Sequence, residues 1–365
     1  MNPVSDSIHR RALFGWCAAG AIIALVAQTS FATQSEDRWA GLLRVGSENP
    51  LLGQIESELG PLHPQGALGH DGQISFLIAR DPFNRHGTAT RMRELDQAPY
   101  RYRRIFYSLL AGGFGLLPGG LTLLGLVMWA AIGVGLGVAA AADIGDRLGL
   151  SRWIAPATLL NLGVLLSAVL LTSDALALGL GLTGIALMGR GHVRWAIALL
   201  ALAALTKEAY VLFAWGAATW LWLEGRRRIA MRVGVLPVLP LFAWGLWVSM
   251  SSGGVTPALH HLALPGVGIA AAVPAWLASR PVGSTVVIGS LTVLLLVGSL
   301  VAAFLRGDRF LALCCGWWAL LGLVLSVNVW EVPTNALRVL APLWPLGLLA
   351  LGAAGRLRSA RLTDA

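Results

Sequence analysis

The chain has 365 residues, of which 56% are hydrophobic and only 12% are charged. A soluble globular domain carries about 25% charged residues, so this composition excludes an ordinary soluble protein and predicts a chain embedded in lipid. The formal net charge is +9. The basic residues interrupt apolar runs and form no single stripe, which argues against a nucleic-acid partner.

The first apolar run, residues 12–32, follows Arg10 and Arg11. A cleaved signal peptide is one interpretation, because Ser30-Phe31-Ala32 resembles a cleavage site with small flanking residues. The run is longer than the apolar part of a usual signal peptide, and many further spans hold the chain in the membrane. We therefore favour an uncleaved N-terminal anchor over residues 1–32, with the N-terminus in the cytoplasm.

Residues 33–104 form the one long polar segment, and they contain half of the acidic residues. We predict that this segment is an extracytoplasmic loop after the first span. Residues 105–355 are then a multi-span transmembrane domain, with 105–118 as an apolar lead-in or re-entrant piece, and residues 356–365 are a cytoplasmic tail.

Further apolar runs follow the loop. They cover residues 119–142, 154–171, a block at 174–223 that is broken at 189–194 and at Lys207-Glu208, and then 233–250, 285–305, 310–327 and 339–352. A single helix over 193–223 would be about 46 Å long, too long for a hydrocarbon core of about 30 Å. We therefore predict a helix break at Lys207-Glu208.

With that break, short cytoplasmic segments hold 15 basic residues and short outer segments hold 3, as the positive-inside rule requires. The fold class predicted is an all-α, polytopic transmembrane bundle of about ten spans. Both termini are expected in the cytoplasm, and the expected location is a cytoplasmic membrane.

This topology puts the informative polar groups on the outer side. Asp71 lies between glycines in Gly69-His70-Asp71-Gly72-Gln73, which permits a tight turn with an accessible carboxylate. Close to apolar walls, that carboxylate would be a stronger general base toward an alcohol. The alternative is that Asp71 caps a helix beginning near Gln73.

Lys207 and Glu208 are adjacent, so on a helix they would point about 100° apart and could not pair with each other. Asp174, at the outer end of the preceding helical hairpin, is one candidate partner for Lys207. A phosphate oxygen of a lipid-linked substrate is the functional alternative. The structural alternative is that both side chains extend to the membrane interface, where their charged groups lie in water.

Arg101, Arg103 and Arg104 lie among tyrosines where the chain re-enters the membrane. They suit either a phosphate headgroup of a substrate or generic attraction to anionic lipid. Asn328, Glu331 and Asn335 are expected at the rim of a cavity. His260-His261 has no ligand spacing to other candidates, so no metal site is predicted.

Three motifs, Gly69-His70-Asp71-Gly72-Gln73, Ala79-Arg80-Asp81-Pro82 and the basic run 100–107, resemble bacterial members of the GT-C class of membrane glycosyltransferases. Ser173-Asp174 and the segment 204–208 with Lys207-Glu208 look like the same group. The sequence departs from the pattern at His70, where a tyrosine is common, and in lacking a sizeable C-terminal outer domain.

The resemblance implies transfer of a hexosyl or pentosyl group from a polyprenyl-phosphate donor to an extracytoplasmic glycan or lipid-linked acceptor. Asp71 would be the catalytic base. The residues implied in substrate binding are His70, Gln73, Arg80, Asp81, Arg101, Arg103, Arg104, Asp174, Lys207 and Glu208. No cofactor is implied, although a divalent metal stays open, and membrane lipids are the other expected partners.

Glycine-rich phosphate loops are missing from the sequence, which agrees with a lipid-linked donor and argues against a nucleotide sugar. A non-catalytic transporter, flippase or assembly factor for lipid-linked glycans is the alternative function. It would use the same charged groups to hold a headgroup.

Overall fold

A computed structural model describes residues 3–92, 98–151, 153–252, 261–279, 282–304 and 308–363. Over these ranges the secondary structure is helical, and the only β-type pairings are two isolated bridges. The helices are α1 (Pro3–Gln34), α2 (Leu52–Leu59), α3 (Asp71–Arg80), α4 (Thr88–Arg91), α5 (Ala98–Arg101), α6 (Ile105–Ala111), α7 (Gly119–Arg147), α8 (Ile154–Thr158), α9 (Leu162–Val169), α10 (Asp174–Gly189), α11 (Val193–Thr206), α12 (Val211–Leu223), α13 (Arg227–Val235), α14 (Val238–Ser251), α15 (Val267–Ala278), α16 (Val282–Phe304), α17 (Arg309–Val324), α18 (Val327–Trp330), α19 (Pro333–Val339) and α20 (Leu343–Thr363).

Several helices are long and apolar enough to cross a membrane. Among the described residues there are four, and a fifth if α19 and the first part of α20, bent by 57°, are one span. The four are Arg11–Gln34, Gly119–Arg147, Arg227–Ser251 and Gly283–Val301. This agrees with the predicted all-helical, multi-pass class.

The number of ten spans stays a prediction. Four further apolar helices are shorter, namely α10, α11, α15 and α17. The 16 residues of α10 give a rod of about 24 Å, less than a hydrocarbon core of about 30 Å. Helices of this length cross a bilayer only with local thinning or with burial among neighbours, and α10 is buried along most of its length.

The region predicted as one span over 154–171 is two short helices, α8 and α9. The chain turns between them, and the Asn161 side chain accepts a hydrogen bond from the Val164 N–H at 3.2 Å, which caps α9. The same amide donates to the Ala341 carbonyl at 2.8 Å. An asparagine that can serve both as cap and as tertiary contact favours a break over a continuous helix.

Helix α15 was not predicted from the sequence, which left residues 251–284 as an outer loop. The helix contains Pro274, and proline in a helix interior removes a backbone hydrogen bond. Pro274 therefore argued against a helix in this apolar segment of 12 residues. Gly266, at φ +79°, precedes it and provides the left-handed turn at its start.

The break predicted at Lys207-Glu208 is confirmed. Helix α11 ends at Thr206, Lys207 has an extended backbone (φ −157°, ψ 125°), and a short 3-10 helix, Glu208–Tyr210, leads into α12. Because the extended residue interrupts the helix, the two charged side chains leave the chain in different directions at one level of the bundle.

The described residues of the loop at 33–104 (33–92 and 98–104) are folded against the apolar helices of the bundle. Its apolar side chains Leu43, Leu51, Ile55, Phe76 and Leu77 are buried, and they belong to the same core as the helices. This packing fixes the start of α3, and with it Asp71, against the helical bundle.

Close packing of α7 and α10 sets the position of Asp174. A Cβ on Gly133 would lie 2.5 Å from the Leu176 backbone, and one on Gly179 would overlap the Gly133 carbonyl. Only glycine permits such close approach of two helix backbones. The first turn of α10 is therefore held firmly against α7.

A buried cluster of charged side chains lies at the far end of α10. Asp143 is 4% exposed, and its carboxylate accepts hydrogen bonds from Arg190 Nε at 3.0 and 3.1 Å and lies 3.0 Å from His9 Nε2. Arg147 completes the group at 3.4 Å, so this buried cluster joins α1, α7 and α10.

Candidate functional site

A cavity of about 900 Å³ lies where the folded loop meets the break between α11 and α12 and the segment from α17 to α19. The loop and the helix break contribute most of its charged residues, and the segment from α17 to α19 contributes apolar side chains together with Asn328, Asn335 and Arg338. The charged residues of its lining are Asp71, Arg101, Arg103, Arg104, Lys207, Glu208 and Arg338. Two carboxylates among five cations make this a cavity suited to an anion.

Asp71 is the first residue of α3, and two guanidinium groups bind its carboxylate. Arg101 pairs with Oδ1, and Arg338 Nη2 donates to Oδ2 at 3.0 Å. The N-cap of α3 is His70, which makes no side-chain cap hydrogen bond. Asp71 therefore does not serve as the cap, and its nearest neighbours are arginines instead of the apolar walls expected from sequence.

Asp174 and Lys207 form a buried ion pair, with side chains 1% and 5% exposed. Asp174 Oδ2 also accepts a hydrogen bond from the Thr172 hydroxyl at 3.0 Å and lies 3.4 Å from Arg338 Nη2. The candidate pairing of Asp174 with Lys207 is confirmed. Burial of Lys207 contradicts the snorkelling alternative, because a snorkelling ammonium group lies in water.

Arg338 connects the two carboxylates and was not predicted as a site residue. Its side chain is 6% exposed, and Nη1 donates to His70 Nε2 at 3.2 Å. One sequence signal was present: the predicted outer segments contain very few basic residues, and Arg338 lies just before the last apolar run. An arginine in that position is expensive to bury unless it has carboxylate or phosphate partners.

Glu208 pairs with Arg104 through two hydrogen bonds, Nε to Oε2 at 3.0 Å and Nη2 to Oε1 at 2.8 Å. The Tyr100 hydroxyl donates to the same carboxylate, and the Arg104 guanidinium lies 4.8 Å above the Tyr100 ring centroid. The prediction that Lys207 and Glu208 do not pair with each other is confirmed, since each has its own partner.

Arg103 lines the cavity without such a partner. Its Nε atom is buried and makes no hydrogen bond, and the ion pairs found within the described ranges do not include it. A buried donor without an acceptor is costly. An anionic ligand would satisfy it.

Three residues expected in substrate binding have structural contacts instead. The side-chain oxygen of Gln73 accepts hydrogen bonds from Gly46 N–H at 3.0 Å and from the Asn49 amide at 2.7 Å. Its side-chain nitrogen donates to the Leu68 carbonyl at 2.6 Å. Gln73 therefore borders the cavity with its amide already engaged in structural contacts. Arg80 pairs with Glu58 at 2.6 Å.

Asp81 accepts backbone N–H bonds from Arg85, His86 and Thr88 at 2.7, 3.0 and 3.4 Å. Neither Asp81 nor Arg80 belongs to the cavity lining. Asp81 organises the loop after α3, and Arg80 fastens α3 to α2.

His70 stays neutral in this site. Burial, followed by the positive charge of Arg338, lowers the pKa of its imidazole to about 3, because both disfavour the charged form. Its Nε2 accepts from Arg338, and its buried Nδ1 makes no hydrogen bond. His70 is thus an acceptor that orients Arg338.

The charges of the site do not cancel. Among the described residues, five cations, Arg101, Arg103, Arg104, Lys207 and Arg338, face three carboxylates, Asp71, Asp174 and Glu208, which leaves 5 − 3 = +2. The low dielectric of a partly buried site strengthens the attraction of this surplus for an anion.

Not all of the other residues named from the sequence line the cavity. Asn328 and Asn335 line the cavity as expected, whereas Glu331 does not. His261 lines it too, with its ring centroid 6.2 Å from that of Tyr100, while His260 lies outside the described residues. Within the described ranges, no group of three or more His, Cys, Asp or Glu side chains is arranged to hold a metal ion.

Comparison with known proteins finds no match to a family model, to a curated protein or to a solved structure. The cavity itself combines two carboxylates, Asp71 and Glu208, with a larger number of cations among the described residues, beside an apolar wall.

Proposed function

We propose that this protein is a membrane glycosyltransferase of the GT-C type, which moves a sugar from a polyprenyl-phosphate donor to an acceptor hydroxyl on the extracytoplasmic side. The observation that carries the proposal is the meeting of Asp71 with Arg101, Arg338 and the Asp174–Lys207 pair at one cavity. A base and an anion site side by side are what this reaction requires.

The positive charge of the cavity stabilises the departing polyprenyl phosphate more than the intact donor. A sugar linked to polyprenyl phosphate is a phosphodiester with one negative charge. The departing polyprenyl phosphate is a monoester with a charge of about −1.5 to −2 at pH 7. A site with a surplus of two positive charges therefore binds the transition state better than the donor, which is the condition for catalysis.

Each residue has a defined part in the reaction. Asp71 accepts the proton of the acceptor hydroxyl while that oxygen forms a bond to the anomeric carbon from the face opposite the phosphate. The bond between this carbon and the phosphate oxygen breaks, and its electron pair stays on the phosphate. Arg103, Arg338 and Arg101 line the same cavity, and in the proposed reaction they stabilise the negative charge that develops on the phosphate.

The apolar wall suits the rest of the donor. Leu321, Leu325, Val329 and Val339 face the cavity from α17 to α19. A polyprenyl chain gains about 0.8 kcal/mol for each CH₂ group that it buries. A donor with its phosphate at the arginines and its chain along this wall would use both halves of the cavity.

The proposal is tested with Asp71→Asn, which keeps the shape of the side chain and removes the base. Purified protein in nanodiscs would be given a polyprenyl-phosphate sugar and acceptor membranes, and released polyprenyl phosphate would be measured. We expect a loss of about 10²-fold or more, in the range of general-base catalysis. The control is Glu48→Gln, an exposed acidic residue of the same loop.

The same readout separates the proposal from transport. A flippase or other carrier moves the lipid without cleaving it, so wild-type protein would then release no polyprenyl phosphate. Full release by the Asp71→Asn protein would remove Asp71 from the mechanism.

A further inference from the structure

We infer that Arg338 holds Asp71 in a resting pair and leaves it for the phosphate when the donor enters the cavity, so that donor binding itself frees the base. The inference builds on the proposed function and adds an order of events: the phosphate binds first, and the acceptor hydroxyl then meets an available carboxylate.

The two oxygens of Asp71 are held separately. Arg101 binds Oδ1, and Arg338 binds Oδ2 at 3.0 Å. If Arg338 moves away, Oδ2 becomes available to a hydroxyl while Arg101 still orients the carboxylate. In the resting arrangement both oxygens are engaged by guanidinium groups, and a carboxylate bound in this way is a poor proton acceptor.

Arg338 has a reason to move toward an anion. Its Nε atom is buried without a hydrogen-bond partner, although the side chain is only 6% exposed and lines the cavity. Phosphate oxygens accept from guanidinium in a bidentate manner. They would satisfy the unpartnered N–H as well as one of the terminal nitrogens.

Movement of Arg338 toward the phosphate leaves no buried charge without a partner. Asp174 keeps the Lys207 ammonium group and the Thr172 hydroxyl at 3.0 Å, whereas its contact with Arg338 is the longer one, at 3.4 Å. His70, the remaining partner of Arg338, is a neutral acceptor. The resting contacts of Arg338 can therefore be exchanged for a phosphate without burying an unpaired carboxylate.

The consequence is a competition between Asp71 and the anion for one guanidinium group. Linkage requires the competition to be reciprocal: if the anion frees Asp71, then removing the charge of Asp71 must strengthen anion binding. A coupling of this kind between adjacent groups changes affinity by about 5- to 150-fold. A carboxylate that helped to bind the ligand would have the opposite effect.

The test measures binding and not turnover. Farnesyl phosphate would be titrated into full-length protein in nanodiscs by isothermal calorimetry. We expect Asp71→Asn to bind it about tenfold more tightly than wild type, and Arg338→Gln to bind it more weakly. In the Arg338→Gln background, Asp71→Asn should no longer tighten binding.

Glu48→Gln, which removes a negative charge from the same loop at an exposed position, controls for net charge and should leave the affinity unchanged. Equal or weaker binding by Asp71→Asn would overturn the inference. The same tightening with and without Arg338 would also overturn it, because the competition would then not involve that residue.

Arg338→Lys keeps the inference testable if a neutral variant fails to fold. Lysine retains the charge but cannot reach Asp71, Asp174 and His70 together, so it should bind farnesyl phosphate at least as tightly as wild type. The outcome is separable from the proposed function. Tighter binding by Asp71→Asn without any sugar transfer by wild type would support the inference alone, and Asp71-dependent transfer without tighter binding would support the function alone.

Discussion

Arg338 Nη2 lies 3.0 Å from Asp71 Oδ2, although 267 positions of sequence separate the two residues. The contact joins the loop after the first span to α19, which precedes the last helix. A carboxylate from one end of the chain and a cation from the other thus complete one site. Neither segment could form it alone, so the site exists only when the whole bundle has assembled.

The buried Asp174–Lys207 pair should show strong coupling in stability. Lys207→Met leaves the Asp174 carboxylate with only the Thr172 hydroxyl at 3.0 Å and the longer contact to Arg338 at 3.4 Å among its described side-chain partners. Asp174→Asn leaves a buried ammonium group, so each variant should destabilise the protein by about 3 kcal/mol or more. The double variant removes both charges and should be less destabilised than the sum of the two. The measurement is the unfolding midpoint in detergent, and simple additivity would argue against the pair.

Asp81 should matter for stability and not for ligand binding. Asp81→Ala removes the acceptor for the part-buried N–H groups of Arg85 and His86 at 2.7 and 3.0 Å and for the buried N–H group of Thr88 at 3.4 Å. A buried donor without an acceptor costs about 1–3 kcal/mol. We expect a lower unfolding midpoint but an unchanged dissociation constant for farnesyl phosphate in the folded protein. A large loss of affinity at unchanged stability would return Asp81 to the binding site.

Arg103 should behave in the opposite way. Its Nε has no hydrogen-bond partner to lose, so Arg103→Gln should change the free energy of unfolding by no more than about 0.5 kcal/mol. If Arg103 contacts the phosphate, loss of a charged hydrogen bond should weaken farnesyl phosphate binding by about tenfold, or roughly 1.5 kcal/mol. Calorimetry checks the affinity. An unchanged dissociation constant would mean that Arg103 lies outside the ligand's reach.

Charged residues inside apolar sequence were the most informative signal. Lys207-Glu208 predicted a helix break because a continuous helix would be too long for the membrane, and the structure has that break. The pairing of Lys207 with Asp174 could be predicted for a related reason, since an ammonium group at membrane depth requires a partner.

Tertiary contacts account for what the sequence did not reveal. Arg338 was not predicted as a site residue, because nothing in its local sequence shows that α19 brings it to Asp71. Arg80 and Asp81 stood next to the motif in sequence, yet α3 directs them toward α2 and the following loop. Proximity along the chain predicted membership of the site poorly, because helix geometry turns neighbouring residues to different faces.

His70 should give the protein a distinctive dependence of stability on pH. Burial and Arg338 lower the pKa of its imidazole to about 3, whereas an unfolded histidine titrates near 6.5. Between these values the unfolded state binds more protons than the folded state, so the free energy of unfolding falls as the pH falls, by up to about 1.4 kcal/mol per pH unit. Above about pH 6.5 this contribution is constant.

The measurement is the unfolding midpoint in detergent between pH 7.5 and about 5, a window above the unperturbed pKa values of Asp and Glu. His70→Gln keeps an acceptor for Arg338 but has no ionisable group, so its stability should fall less steeply with decreasing pH than that of wild type. His192→Gln, at an exposed position, should follow wild type. Equal slopes for wild type and His70→Gln would mean that the folded site accommodates the imidazolium ion, contrary to the contact between His70 Nε2 and the Arg338 guanidinium.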